Sequence, residues 1–251
     1  MGTVDTKKFY DSLAVEYDSM TSFVQRLRKE GSLYRSLVEK YKIKTALDAG
    51  AGTGVHSILL AQAGINVTAV DISREMLKLL SLHAKEKKVS VKTIKSDFLD
   101  LSNKVNYKFD SVFCMGNSLA HAKTGAELRK ILSNFHSLLK PNGILFLQIL
   151  NYDRIILKRE IIQSIKESNG KTFIRFYGFT CGQIDFHLLT IESKGGTLNY
   201  NIITTQLLPI THTIILKLLK EVGFKNIYYS SHLDEGVFNK RKSKDLFIKA
   251  S

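Results

Sequence analysis

Cysteine is scarce in this chain. Cys114 and Cys181 are too few for a disulfide framework, so a reducing cytoplasm is the expected compartment. No apolar run reaches the ~18 residues that a membrane span needs, which excludes an integral membrane class. The first twenty residues, MGTVDTKKFYDSLAVEYDSM, carry acids and have no apolar signal core. Met1-Gly2 with Thr6 is only a weak lipidation start. None of the seven histidines has metal-ligand spacing with a cysteine or another histidine, so no metal is expected. Acids are in deficit: 23 Asp and Glu against 37 Lys and Arg leave a formal charge of +14. Such a balance attracts polyanions, but the lysines are spread along the chain. The densest runs are KEKK at 85–88 and NKRKSK at 239–244.

What is present is an alternation of strands and helices. Residues 5–40 carry Phe9, Leu13, Tyr17, Leu33, Leu37 and Tyr41 at helical spacing. Short strands are predicted at 44–50, 66–73, 89–98, 109–117 and 144–150, with helices at 54–64, 74–87 and 124–139 and a PNG turn at 141–143. That order predicts an α/β fold, a doubly wound Rossmann-like sheet. The pattern then changes. Residues 153–168 read as helix, and three alternating runs follow at 171–180, 183–193 and 197–208, separated by CG and KGG. A helix at 211–221 and strands at 225–231 and 245–250 close the main sheet, the last strand antiparallel and the seventh overall. The expected organisation is a single domain over 1–251: N-terminal helices at 5–40, core at 41–152 and 209–251, and an inserted antiparallel β cap at 153–208.

The stretch TALDAGAGTGVHSILLAQAG (45–64) lies at the first strand-to-helix turn, where open α/β sheets bind their ligands. Gly50 and Gly52 allow a tight turn and close approach to the backbone, and Gly54 allows close packing of the helix start. Asp71 ends the second strand, 21 residues after Gly50, and is placed to accept from two ribose hydroxyls. Dinucleotide enzymes and methyltransferases share that arrangement. Their fingerprint separates them: G-x-G-x-x-G marks the former, whereas this loop is G-A-G-T-G with Val55 following. With Asp48 at its start, the loop suits a ligand with a ribose and an amino-acid tail but no pyrophosphate.

LDAGAGTG, VTAVDIS, KSDFLDL (95–101), FDSVFCMGNSLAH (109–121) and LLKPNGILFLQI (138–149) resemble, in order, the motifs of class I S-adenosylmethionine-dependent methyltransferases. The resemblance covers the core and implies S-adenosylmethionine as donor and S-adenosylhomocysteine as product. It implies that Gly50, Ala51 and Gly52 face the methionine and sugar, and that Asp71 holds the ribose. Ile72 and Met76 would cover the adenine, although an apolar stripe of this kind also suits plain core. Asp97 would accept from the adenine amino group, with Phe98 beside the ring. Met115 and Gly116 would line the sulfonium region, and Asp48 either contacts the ligand or orients the loop.

AGTGVHSILLAQAG (51–64), MGNSLAH (115–121) and LNYDRI (150–155) are similar to the glycine and glycine/sarcosine N-methyltransferases. That similarity implies that Asn117 and His121 face the acceptor. It also implies that tyrosines from the N-terminal helix, Tyr10, Tyr17 and Tyr34, lie over the donor, with Arg28 meeting the donor carboxylate. Asn117, His121 and Tyr17 are thus the candidate catalytic residues. One departure stands out: the glycine enzymes carry Arg before NYD, and here the residue is Leu150. An apolar side chain cannot neutralise a buried carboxylate, so an acceptor with less charge is expected. The absence of an N-P-P-Y-like tetrapeptide after the fourth strand argues against exocyclic base amines, and Cys114 lacks the Pro-Cys context of the cytosine-C5 enzymes. The reading is methyl transfer to a small molecule, an amine ahead of a hydroxyl, by a monomer or homodimer. An RNA methyltransferase, motivated by the charge, and a non-catalytic S-adenosylmethionine-binding protein remain as alternatives.

Overall fold

Asp5 starts the first element, its carboxylate accepting from the Lys8 N–H. From it α1 runs Thr6–Thr21 and α2 Phe23–Tyr41. The computed structural model describes residues 3–251, so the Met1-Gly2 pattern lies outside the described residues. The helical run expected over 5–40 is broken at Ser22, whose φ of 60° is left-handed. Both helices are amphipathic, and no sequence breaker marks the join.

The main sheet has seven strands: β1 (Thr45–Ala49), β2 (Asn66–Asp71), β3 (Val91–Lys95), β4 (Phe109–Cys114), β5 (Leu139–Leu150), β10 (Ile227–Ser230) and β11 (Asp245–Ala250). Their order is β10-β11-β5-β4-β1-β2-β3. Only β11 runs against its neighbours, pairing antiparallel with both β5 and β10. Helices α3 (Val55–Gln62), α4 (Arg74–Glu86), the short α5 (Leu101–Lys104), α6 (Gly125–Ser137) and α8 (His212–Val222) cover it. Strand order reverses beside β1, which pairs β2 on one side and β4 on the other. That crevice at the strand C-termini is where such sheets bind ligands. The PNG segment is not a free turn. It lies inside β5, where Asn142 has φ 62° and the register against β4 shifts.

Helix α7 (Tyr152–Lys158) leads into a second, antiparallel sheet of four strands: β6 (Ile162–Ser168), β7 (Lys171–Thr180), β8 (Gln183–Lys194) and β9 (Thr197–Leu207), in that order. Residues 153–168 were expected to be helical, and the sheet to have three strands. The reason for the difference is physical. Ile161, Ile162 and Ile165 sit at helix-like spacing but are 61%, 53% and 60% exposed, while Gln163, Ser164 and Lys166 face a cavity. A strand whose inner face lines a polar cavity inverts the usual code.

Helix α1 joins the two sheets. Its Phe9, Leu13 and Met20 cluster with Phe173 and Leu188 of the second sheet. On its other side Asp11 accepts from Ser73 Oγ at 2.6 Å, and Asp18 lies 3.0 Å from His83 Nε2. Burial on both sides fixes a helix that covers the crevice.

Candidate active site

The glycine loop leaves β1 with its amides turned back on the sheet: Gly50 N and Ala51 N both donate to Val70 O, at 2.8 and 3.0 Å. Gly50 has φ 78°, and a Cβ there would meet Ser118 Oγ at 2.6 Å and Phe98 Cζ at 3.2 Å. Only glycine fits. Gly54 is packed as tightly, since a Cβ would meet Leu80 Cγ at 2.5 Å, which brings α3 and α4 together. Asp48 accepts from Ser57 Oγ at 2.6 Å and lines neither cavity described below. Burial pushes its carboxyl up to about 6. The Ser57 bond ties β1 to α3 beneath the loop.

Asp71 is 8% exposed. One oxygen accepts from Gly52 N at 2.8 Å and the other from Ser73 N at 2.9 Å. A carboxylate has about four acceptor positions, so two remain for a ligand. Burial raises the pKa of this group, while the Ser73 and Gly52 amides oppose the rise. Around it lies a cavity of about 160 Å³ lined by Gly50, Ile72, Asp97, Phe98 and Ser118 among others. An acid with free lone pairs, an aliphatic side chain and an aromatic ring suit ribose hydroxyls and a flat base. The site thus fits S-adenosylmethionine. Tyr17 lies over Gly52, its ring 3.6 Å from where a Cβ would be. Ala51 is buried with Ala69, Leu77 and Leu80. Met76 is fully buried and lines neither cavity, so it is core rather than an adenine contact.

A second cavity, of about 750 Å³, extends from the end of β4 under α1 to the second sheet. Met115, Gly116, Asn117 and Leu150 line it. Tyr10, Tyr17 and His121 line both cavities and so mark their junction. The Tyr10 hydroxyl and His121 Nε2 are 2.9 Å apart. Burial holds the His121 imidazole down at about 4, so it is neutral at pH 7. Asn117, at φ 67°, is committed on both ends of its amide. Its Oδ1 accepts from Leu150 N at 3.0 Å, and its Nδ2 donates to the Tyr152 hydroxyl at 3.0 Å. Asn117 therefore fixes the end of β4 against β5 beside the cavity. The NYD residues act likewise. Asn151 Nδ2 donates to carbonyls of Asn239, Lys240 and Ser243, and Asp153 accepts from His212 N at 2.8 Å.

Two expectations are corrected. Arg28 is exposed and lines neither cavity, because two residues along a helix turn the side chain to the opposite face. Arg26 faces inward instead, donating to Glu30 at 2.7 Å and to His56 Nε2 at 3.1 Å. Tyr34 is fully buried and hydrogen-bonds His56 Nδ1 from the cavity wall. Secondly, Leu150 does not leave the larger cavity poor in positive charge. Arg26, Arg154, Lys166 and Arg175 all line it. Arg175 lies between Phe173 and Tyr177 on the inner face of β7, both at most 3% exposed. A charge at the buried parity of a strand is a signal the sequence did carry. Ser118 gave no such signal.

Residues 46–143 match the family model described as "Methyltransferase domain". The glycine/sarcosine N-methyltransferase of Parasynechococcus marenigrum (strain WH8102) is 27% identical over 232 residues, 88% of this chain and 77% of that protein. The enzyme of the same name from Aphanothece halophytica is 35% identical over 149 residues, but the match covers 59% of this chain and 56% of that one. Among solved structures, an S-adenosylmethionine-dependent methyltransferase from Clostridium acetobutylicum ATCC 824 superposes with a TM-score of 0.81 at 17% identity, covering 96% of this chain and 98% of its own. Residues 46–143 thus carry a methyltransferase domain, and the chain as a whole has the fold of S-adenosylmethionine-dependent methyltransferases. Within that class its sequence is similar to the glycine/sarcosine N-methyltransferases named above.

Proposed function

We propose that this enzyme transfers a methyl group to the nitrogen of a small-molecule amine held in the larger cavity. The observation that carries the reading is the junction itself: Tyr10, Tyr17 and a neutral His121 border both cavities. The cover that α1 gives this cavity, through Phe9, Tyr10, Leu13 and Tyr17, supports a small molecule over a nucleic acid. The names of the glycine/sarcosine relatives support nitrogen as the accepting atom.

S-adenosylmethionine, when bound, supplies a sulfonium-held methyl group for in-line displacement. Positioning carries most of the rate in such a step. With the donor bound, Asp71 would hold the ribose, and Ile72, Asp97 and Phe98 would line the base. Tyr17 closes over Gly52. Arg26 takes the role expected of Arg28 toward the donor carboxylate. Met115 and Gly116 border the path between the cavities. Asn117 is a positioning residue, holding that border through Leu150 N and Tyr152.

An amine attacks only with its lone pair free. Arg26 and Arg154 are balanced by Glu30 and Glu160, and Arg175 has no carboxylate partner among the described residues. Asp234 and Asp245 also line the cavity, so it is the wall at Arg175 that disfavours a protonated amine. As the N–C bond forms, the nitrogen sheds a proton, and the neutral imidazole of His121 accepts it. At a pKa near 4 it relays the proton rather than storing it. The four-stranded sheet forms the far wall and acts as the substrate cap.

The test is S-adenosylhomocysteine release with panels of amines, phenols and carboxylic acids. Turnover confined to amines supports the reading, and turnover confined to phenols overturns it.

A further inference from the structure

Arg175 does not belong to any motif of the donor site, yet it points into the acceptor cavity. Its Nε donates to Ser164 Oγ at 2.7 Å, and among the described residues it forms no salt bridge. The other cations set into the wall of that cavity either pair with a carboxylate or spend their N–H groups on several neutral acceptors. Arg26 pairs with Glu30 and Arg154 with Glu160. Lys166 donates to the Ser19 and Met20 carbonyls and to Ser22 Oγ, capping the end of α1. Lys244 is exposed at the rim. Arg175 lines this cavity together with Tyr10, Tyr17 and Tyr177, and Tyr10 and Tyr17 belong to the junction with the donor.

Two more donors lack partners in the same cavity. The Tyr177 hydroxyl is buried without a hydrogen bond, and so is Arg154 Nε. Gln163 Oε1 is the orphaned acceptor there among the described residues. Arg175 is half-buried, and a charge drawn partly out of water without a partner costs free energy until an opposite charge pairs with it. Three donors on the wall of one cavity, two of them on guanidinium groups, are complementary to an anionic group with several lone pairs. A guanidinium also offers the paired geometry that a carboxylate or phosphate takes.

We infer that Arg175, with Tyr177 and Arg154 Nε beside it, anchors an anionic group on the methyl acceptor. The inference rests on the amine reading above and deepens it: the acceptor is an amine that carries a carboxylate or a phosphate. The anchor comes from the inserted sheet rather than from position 150, where Leu150 stands. The distance from β7 to the junction at Tyr10 and Tyr17 then selects the length of the acceptor.

The experiment has two arms, both run on the full chain with S-adenosylhomocysteine or S-adenosylmethionine bound. In the first, acetate and inorganic phosphate are titrated calorimetrically into wild type and Arg175→Leu. Wild type binds at least one of them, and the variant binds it at least about tenfold more weakly, with donor affinity unchanged. A melting temperature equal to or above that of wild type shows that the variant is folded. In the second arm, initial rates are compared for matched amines: a carboxylate against its carboxamide, and a phosphate monoester against its alcohol. An acid member is preferred at least about tenfold in kcat/KM, and the preference collapses in Arg175→Leu and partly returns in Arg175→Lys. The pair that shows the preference separates carboxylate from phosphate. Anion binding without turnover of any amine sinks the amine reading but leaves the anchor standing. Preference for the neutral members, with no anion bound, overturns the anchor while amine methylation stands. Weaker donor binding in Arg175→Leu overturns it too, because Arg175 would then serve the donor's own carboxylate.

Discussion

Gly50, Gly52 and Asp71 shape the donor cleft mainly through backbone: two tight turns and a carboxylate held by two amides. Asn117, Arg154, Arg175 and Tyr177 shape the acceptor cavity through side chains drawn from the end of β4, α7 and β7. A ligand read by backbone needs glycines and an acid at fixed spacing, so it leaves a local pattern in the sequence. A ligand read by side chains from distant elements leaves none. The same difference bears on specificity, since the donor is common to the class and the acceptor is not.

The sharpest way to separate the two halves is Asp71→Ala. It removes the ribose contact and leaves Gly52 N and Ser73 N without their acceptor, so donor affinity should fall about 100-fold or more, roughly 2.7 kcal/mol. Asp71→Asn keeps one acceptor oxygen and should fall in between. Calorimetry with S-adenosylhomocysteine measures both, and unchanged affinity would break the assignment of the cleft.

Gly50→Ala comes next. The added Cβ meets Ser118 at 2.6 Å on a backbone with φ 78°, so stability should drop by about 1–3 kcal/mol and donor affinity with it. Ser118→Gly should restore part of the packing but none of the backbone strain. Thermal melts of the single and double variants check this.

Asn117→Ala tests the border. It leaves Leu150 N unsatisfied, a loss of about 1–2 kcal/mol, and should lower kcat about tenfold while donor affinity stays within about twofold. An equal loss of both would mean that Asn117 belongs to the donor cleft.

The smallest effect is in the pH dependence of stability. The folded pKa of His121 is held at about 4, below its free value near 6.5. The unfolded chain therefore binds more protons between those values. Stability from this group is complete above about pH 6.5 and falls as pH drops toward 4. Asp48 has the opposite sign, its folded pKa raised to about 6, so it favours the fold as pH drops from about 6 toward 4. The two offset each other. Removing one should expose the other: His121→Asn should lose less melting temperature between pH 7 and pH 5 than wild type does.

The sheet order, the glycine loop and Asp71 were legible in the sequence because parallel strands buried on both faces are short apolar runs, and their turns need glycine. The break at Ser22 was not, because α1 and α2 keep helical spacing on either side of one left-handed residue. The difference between Arg28, which faces solvent, and Arg26, which faces the cavity, is a two-residue rotation within α2. β6 was misread because its polar residues point inward to line a cavity and its isoleucines point out. Arg175 could have been found from its parity with Phe173 and Tyr177, whereas the absence of a cation at position 150 pointed the other way. Met76 looked like a ligand contact only because core and adenine pocket ask for the same side chain.

The most direct test of the account supplies S-adenosylmethionine bearing a trideuteromethyl group with a mixed panel of amines and phenols, and identifies the labelled product by mass spectrometry. The account predicts the label on nitrogen of an amine, matched by S-adenosylhomocysteine and lost in Asp71→Ala. Label on oxygen, or bound donor with no transfer to any acceptor, would contradict it.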